Sequence, residues 1–384
     1  MKRQSLQRMK ISILRRAQAH RGVACSVIFA LAFLVLTGGA TLVKSAQAPA
    51  AAAQGDEKSS TDGAPKSPAT VTISGLVRQP LGLGLRDLRA FGAVSVRRVD
   101  HRTEGFFGDF EYRGVPLTVL LSIAGPRKES SSFMRPTDLA IVVRNDSGKR
   151  ALFSYGELLF RAPGDVVLAF EAEPVIPKRS CDSCHTNRSA HPWREVLSRK
   201  PVLPRIVASR DFDADRSLEG VTSIEVVELF SPAPQPKAKS QSTRSQAIEI
   251  REETVVIAAT RSLDSYPRHS VHALEVGDAM GYHGEVRCEG SLLTDVLTAS
   301  KVPSGPDIGY VIAAADGFRA LLSSAELFST AQPPPILVVD RCNGQPLGEQ
   351  GNFKVIVAND TIAERWVKSV ATINIVRAGP GDVH

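Results

Sequence analysis

Two of the chain's five cysteines and two of its eight histidines stand close together in "CDSCHTNRSAH", Cys181 to His191. Cys181-x-x-Cys184-His185 is the spacing of covalent c-type haem attachment. Two thiols three positions apart reach the two vinyl groups of one porphyrin, and the adjacent His185 turns onto the iron as the proximal ligand. The sixth position is open to His191, His101 or Met134, or to none of them. His101 has a plain reading as a polar loop residue, and Met134 as a gap-filler. Two other chemistries fit the same residues. Cys181 and Cys184 can close a short disulfide, which leaves His185 coincidental. Cys181, Cys184, His185 and His191 are also suitable metal ligands, although their spacing is cramped for a tetrahedron.

The compartment bears on that choice. Residues 1–48 open with a basic segment, run through the apolar "GVACSVIFALAFLVLTGG" and end in small residues, the layout of an export signal or a single membrane anchor. The chain is expected outside the cytoplasm, periplasmic or otherwise extracytoplasmic, with a membrane tether as the alternative to cleavage. Arg15 and Arg16 precede the apolar segment, but "AQAHR" follows them, so export of an unfolded chain is expected. The net charge of +7 is misleading: residues 1–48 carry eight Lys or Arg and no acid, and the remainder is close to neutral. A nucleic-acid partner has no support in that balance. Apart from Cys25 in the apolar segment, the cysteines are Cys181, Cys184, Cys288 and Cys342, placed where thiols meet an oxidising space.

What must position the motif follows from the rest of the chain. Residues 49–68 and 232–247 are rich in Pro, Ala, Ser and Lys, lack periodicity and read as linkers. They bound two units, 69–231 and 248–384, which resemble each other. "SGKRALFSYGELLF" matches "DGFRALLSSAELFS", and that register continues without a gap to "VVLAFE" over "PILVVD". "GDFEYRGVPLTVLL" matches "GEVRCEGSLLTDVL", and "RIVASRD" matches "VIVANDT". A duplication accounts for these matches. Within a unit, "TVTISGLV", "DLAIVVRND", "KRALFS", "DVVLAFE", "RIVAS" and "SIEVVEL" are short β-branched runs bounded by turn residues, hence strands. "NDSG" and "AADG" are hairpin connections, with Gly148 and Gly317 suited to positive φ. "VPLTVLLSIAG" predicts a helix between Pro116 and Gly125. The expected class is α+β, mostly antiparallel sheets with a few helices.

"VTISGLVRQP", "FEYRGVPLTVLL", "GKRALFSYGELL", "DGFRALLSSAEL", "NGQPLGEQG" and "RWVKSVATINI" together resemble the molybdopterin-binding domain of the sulfite-oxidase family. The resemblance covers most of both units and implies two tandem sulfite-oxidase-like molybdopterin-fold units. It also implies a molybdenum-ligating cysteine after the strand "AVSVRRVDHRTEG", where this chain offers Asp100 and His101. Cys288 lies over Tyr112 within a strand and reads as a packed thiol. Pairing of Cys288 with Cys342 stays open. Arg319, Arg365 and Lys368 are the cations that could meet a pterin phosphate. Their plain reading is surface charge flanking Trp366 and Val367.

The first unit exceeds the second in one place. The run from Ala172 to Pro204 is more than twice as long as that from Arg341 to Lys354, and the excess holds the C-x-x-C-H motif. A long connection in a domain whose core is complete without it points to function. P-loop, Rossmann and nucleophile-elbow signatures do not occur. The expectation is therefore an exported redox protein with one c-type haem on the insertion, exchanging electrons with a partner protein. Export unfolded leaves haem, attached afterwards, better placed than a buried molybdopterin. The alternatives are a molybdopterin-dependent oxidoreductase or its subunit, and a cofactor-free binding or scaffold module with a C-x-x-C disulfide or metal site.

Overall fold

The computed structural model describes residues 70–102, 104–128, 135–175, 199–230, 247–277, 281–330 and 335–379. All described residues belong to one compact unit within Gly63–His384. Cys181, Cys184, His185, His191 and Met134 lie outside the described residues.

The first repeat runs β1 (Thr70–Gly75), β2 (Leu81–Gly84), β3 (Val94–Arg102), β4 (Gly105–Pro116), β5 (Ala140–Asn145), β6 (Arg150–Ser154), β7 (Val166–Pro174), β8 (Arg205–Ala208) and β9 (Val221–Val227). It builds two sheets, ordered β2-β1-β9-β5-β6 and β3-β4-β7-β8. The second repeat continues with β10 (Ile248–Glu252), β11 (Val255–Thr260), β12 (His269–Val276), β13 (Tyr282–Leu292), β14 (Ile308–Ala314), β15 (Arg319–Ser323), β16 (Ile336–Cys342), β17 (Gln345–Pro346), β18 (Lys354–Val357) and β19 (Val370–Arg377). Its five-stranded sheet is ordered β11-β10-β19-β14-β15, and β12-β13-β16 carries both β17 and β18 on β16. In each repeat the first strand pairs in parallel with the last, β1 with β9 and β10 with β19.

Burial explains which strands read as alternating and which as solid apolar runs. In β5, Ile141 and Val143 face the first repeat's core. Ala140 and Val142 on the opposite face join Leu152, Val311, Leu321 and Val376 in a cluster shared by the two repeats. A strand covered on both faces has no reason to alternate, and each fully buried side chain of this size contributes about 1.5–3 kcal/mol. The hairpin turns carry Gly148 at φ 78° and Gly317 at φ 92°, a region costly to residues with a Cβ.

The α+β expectation is overturned. Among the described residues the chain is mostly β, with its four sheets in a propeller-like set of four blades rather than an α+β sulfite-oxidase-like layout. The helix expected in "VPLTVLLSIAG" does form, over Leu117–Ala124 with Gly125 as its left-handed cap, and its counterpart is Leu293–Ala299. The longer of the two has only eight residues. Short helices of this kind fill gaps between sheets and cannot build a layer of their own.

The ladder also corrects two registers. Val166 faces Ala208 and Ala169 faces Arg205, as Ile336 faces Val357 and Val339 faces Lys354. "VVLAFE" therefore stands over "ILVVDR", and "RIVASRD" over "KVIVAND", each one residue from the match by composition. Runs of interchangeable β-branched residues tolerate such a slip on paper. In a sheet a one-residue slip turns every side chain to the other face. Finally, Cys288 of β13 faces Cys342 of β16, and the two form a disulfide, so Cys288 is not a packed thiol.

Candidate functional site

β7 and β8 pair directly, as β16 and β18 do, so the connection 175–204 leaves and rejoins a finished sheet. Both ends of it lie against β4: the Val175 amide donates to the Asp109 carbonyl at 2.8 Å, and Arg199 Nε to the Phe107 carbonyl at 3.3 Å. At this base three guanidinium groups meet two carboxylates. Arg205, fully buried, lies 2.6 Å from Asp100 Oδ2 and 3.2 Å from Glu219 Oε1. Arg199 approaches Glu219 at 2.8 Å and Asp100 at 3.5 Å, and Arg102 reaches Glu219 at 3.7 Å. Each of the three also covers an aromatic ring of β4. Arg102 lies 5.1 Å from Phe107, Arg199 5.6 Å from Phe110, and Arg205 4.9 Å from Tyr112, all within cation–π range.

The protonation states follow from this packing. Burial raises the Tyr112 phenol, which stays protonated and donates to Asp100 Oδ2 at 3.0 Å. Burial also works to raise the Glu219 carboxyl, but the Val202 amide, Arg205 and Arg199 together hold it below its ordinary value. Three guanidinium groups against two carboxylates leave the cations in excess. Consistent with that excess, Arg205 Nε and Nη2, Arg199 Nη2 and Arg102 Nε are buried without a hydrogen-bond partner, as is Asp100 Oδ1. A buried cationic group with free donors is suited to an anion. It is unsuited to soft-metal ligation, since no thiol is present and Asp100 is held by Tyr112 and Arg205. Among the described residues no group of three His, Cys, Asp or Glu is placed to hold a metal ion.

Next to this cluster a cleft of about 520 Å³ opens. Arg102, Lys149 and Arg150 are its cations, Glu104, Asp215 and Asp307 its acids, and Leu218 and Pro306 its apolar surface. Arg150 Nη1 donates to the Ala378 carbonyl at 3.0 Å, while its Nε is buried without a partner.

A second ionic group locks the repeats together by reciprocal contacts. Arg216 of the first repeat binds Asp211 through Nε and Nη2, both at 2.8 Å, Glu157 at 2.6 Å and Ser323 of the second repeat at 3.1 Å. Arg365 of the second repeat binds Asp360 through Nε and Nη2, both at 2.7 Å, Glu326 at 2.9 Å and Ser154 of the first repeat at 3.1 Å. Ser154 Oγ in turn donates to Glu326, and Ser323 Oγ to Glu157. Burial, reinforced by Glu326 and opposed by Arg216, raises the Glu157 carboxyl to about 7. Its unfolded value is near 4.5. The stability Glu157 contributes is therefore complete below pH 4.5 and is lost as pH rises through about 7. Thermal unfolding of wild type and Glu157→Gln, compared from pH 5 to 8, should show a steeper decline in wild type. Parallel curves would mean that Glu157 is already ionised at pH 5.

Of the residues singled out in the sequence, His101 is exposed on β3, its ring 6.2 Å from Phe212. Arg365 and Arg319 are buried rather than surface charges. Arg365 is enclosed by the carboxylates above. Arg319 binds Asp138 at 3.0 Å and Glu228 at 2.6 Å. Lys368, half-exposed, lies 3.7 Å from Glu275, which also meets the buried Lys354 at 3.5 Å. The structure thus does not gather Arg319, Arg365 and Lys368 into one anion-binding group. Arg199, Arg205, Glu219 and Arg216 were missed. The corrected register contained a signal for part of this, because it sets Arg205 over Lys354 and Asp211 over Asp360.

No family model matches the chain, and no curated protein matches it. Among solved structures, the sulfane dehydrogenase SoxCD from Paracoccus pantotrophus aligns over 81% of this chain and 78% of its own, at 12% identity and a TM-score of 0.28. This is a weak similarity to a redox enzyme, too slight to carry an argument.

Proposed function

We propose that the chain is an exported redox protein that carries one c-type haem on the insertion and exchanges single electrons with a partner protein. The observation that carries this reading is the Cys181-x-x-Cys184-His185 motif on a connection whose flanking strands pair without it. Cys181 and Cys184 would each add S–H across one vinyl group, forming a thioether with no leaving group, and His185 would supply the proximal nitrogen. The haem, once bound, supplies one-electron chemistry. The Cys288–Cys342 disulfide accords with an oxidising compartment, where such attachment takes place. His101, exposed on β3, stays with His191 and Met134 among the possible distal ligands.

The test is covalent attachment. Full-length protein made alongside haem-maturation machinery should retain haem stain on a denaturing gel, and Cys181→Ala with Cys184→Ala should lose all of it. An unstained wild-type band made under those conditions would remove this reading in favour of a disulfide or metal at the same cysteines.

A further inference from the structure

We infer that the edge strand β11 is an interaction surface, and that it pairs antiparallel with β11 of a second copy of this chain. The strand ends its sheet. It bonds to β10, and among the described residues no strand lies on its other side. That free edge presents a row of backbone donors and acceptors with no ladder to join. Its side chains are apolar as well. Val255, Val256 and Ile257 are 62%, 46% and 41% exposed, three consecutive β-branched residues turned to water. Lys and Pro, which commonly keep an exposed edge from pairing, are absent from the strand. Ile250 faces Ala258 and Arg251 faces Val256, so Ile257 stands outside the ladder to β10 as a bulge. A twofold axis at that point sets bulge beside bulge, and the two strands bend together.

The first repeat shows what a protected edge looks like. At the matching place β2 has only four residues, two of them Gly, with Leu83 buried, and it passes directly into the short helix Leu85–Leu88. In the second repeat the strand has six residues and turns follow it. The charges at its ends select the occupant. Glu252 and Glu253 stand before β11 and Arg261 after it. Glu252 meets Arg377 at 2.9 Å, whereas Glu253 and Arg261 are exposed and form no ion pair among the described residues. Antiparallel self-pairing brings the acidic end of each strand to the basic end of the other, twice over. Parallel pairing would set acid against acid and Arg against Arg. The patch thus complements itself, as a twofold interface requires.

Sedimentation velocity of the full-length protein over a range of concentrations tests the pairing. One strand pair is small beside the roughly 1,200–2,000 Å² of a stable interface, so wild type should pass from monomer to dimer as concentration rises. Ile257→Lys sets two ammonium groups side by side at the axis and should weaken the dimer by at least roughly tenfold. Arg261→Glu should weaken it by roughly tenfold too, and adding Glu253→Arg should restore most of the loss. All three positions are exposed, so these variants do not depend on core packing. Val99→Lys, at a residue 50% exposed on β3 of the first repeat, should dimerise like wild type. Wild type that stays monomeric up to about 100 μM would overturn the proposal. So would a dimer indifferent to Ile257→Lys, which would place the contact elsewhere on the chain. Failure of Glu253→Arg to rescue Arg261→Glu would overturn the antiparallel pairing of the two strands.

Discussion

Replacing Arg365 by Met is expected to lower the unfolding free energy by roughly 3–5 kcal/mol, the cost of leaving buried charges without their partner. Arg365 is fully buried and holds Glu326 and Asp360, themselves almost wholly enclosed, together with Ser154 across the repeat boundary. Without it, two carboxylates face each other's field in a site where Glu157 is already raised to about 7. Proton uptake then becomes the cheapest relief, so the variant should lose more stability at pH 8 than at pH 5. Adding Glu326→Gln should recover part of the loss, because one orphaned charge goes with it. Arg216→Met, the reciprocal change, should behave alike. Urea unfolding followed by circular dichroism measures all four proteins. A loss below about 1 kcal/mol for Arg365→Met would mean that the network does not hold the repeats in place.

Removing the Cys288–Cys342 disulfide should cost about 4 kcal/mol, because the bond closes a loop of 54 residues whose freedom in the unfolded chain it restricts. The same rung in the first repeat pairs Tyr112 with Ala172, which no reductant can affect. The effect belongs to the second repeat. Cys288→Ser with Cys342→Ser gives the cleaner measurement, since a reductant is not confined to this one bond. An unfolding midpoint equal to that of wild type would show that the bond does not form in solution.

Much of the architecture is legible in the sequence. The duplication, the runs that became β1, β5, β6, β7, β8 and β9, the two hairpin turns and the short helix before Gly125 were all visible as patterns over a few neighbouring residues. Such patterns report local propensity and which face meets a core. The place of the insertion was visible for the same reason, as an excess of one repeat over its copy. The fold class was misjudged because the number and length of helices, more than their existence, decides whether they form a layer.

The sequence by itself determined the Cys181-x-x-Cys184-His185 spacing, the neutrality of the chain beyond its basic start and the repeat that marks the insertion as an excess of one unit over its copy. Only the tertiary structure decided the register of β8 on β7, the pairing of Cys288 with Cys342 and the gathering of Arg102, Arg199 and Arg205 around Asp100 and Glu219. The physical reason is distance along the chain. Arg205 meets Asp100 across 105 residues, and Ser323 meets Glu157 across 166. No local preference of a charged residue states which partner it will find. That is decided when the strands carrying both are locked into one sheet or brought face to face, and an unpaired buried charge then makes every other register costlier.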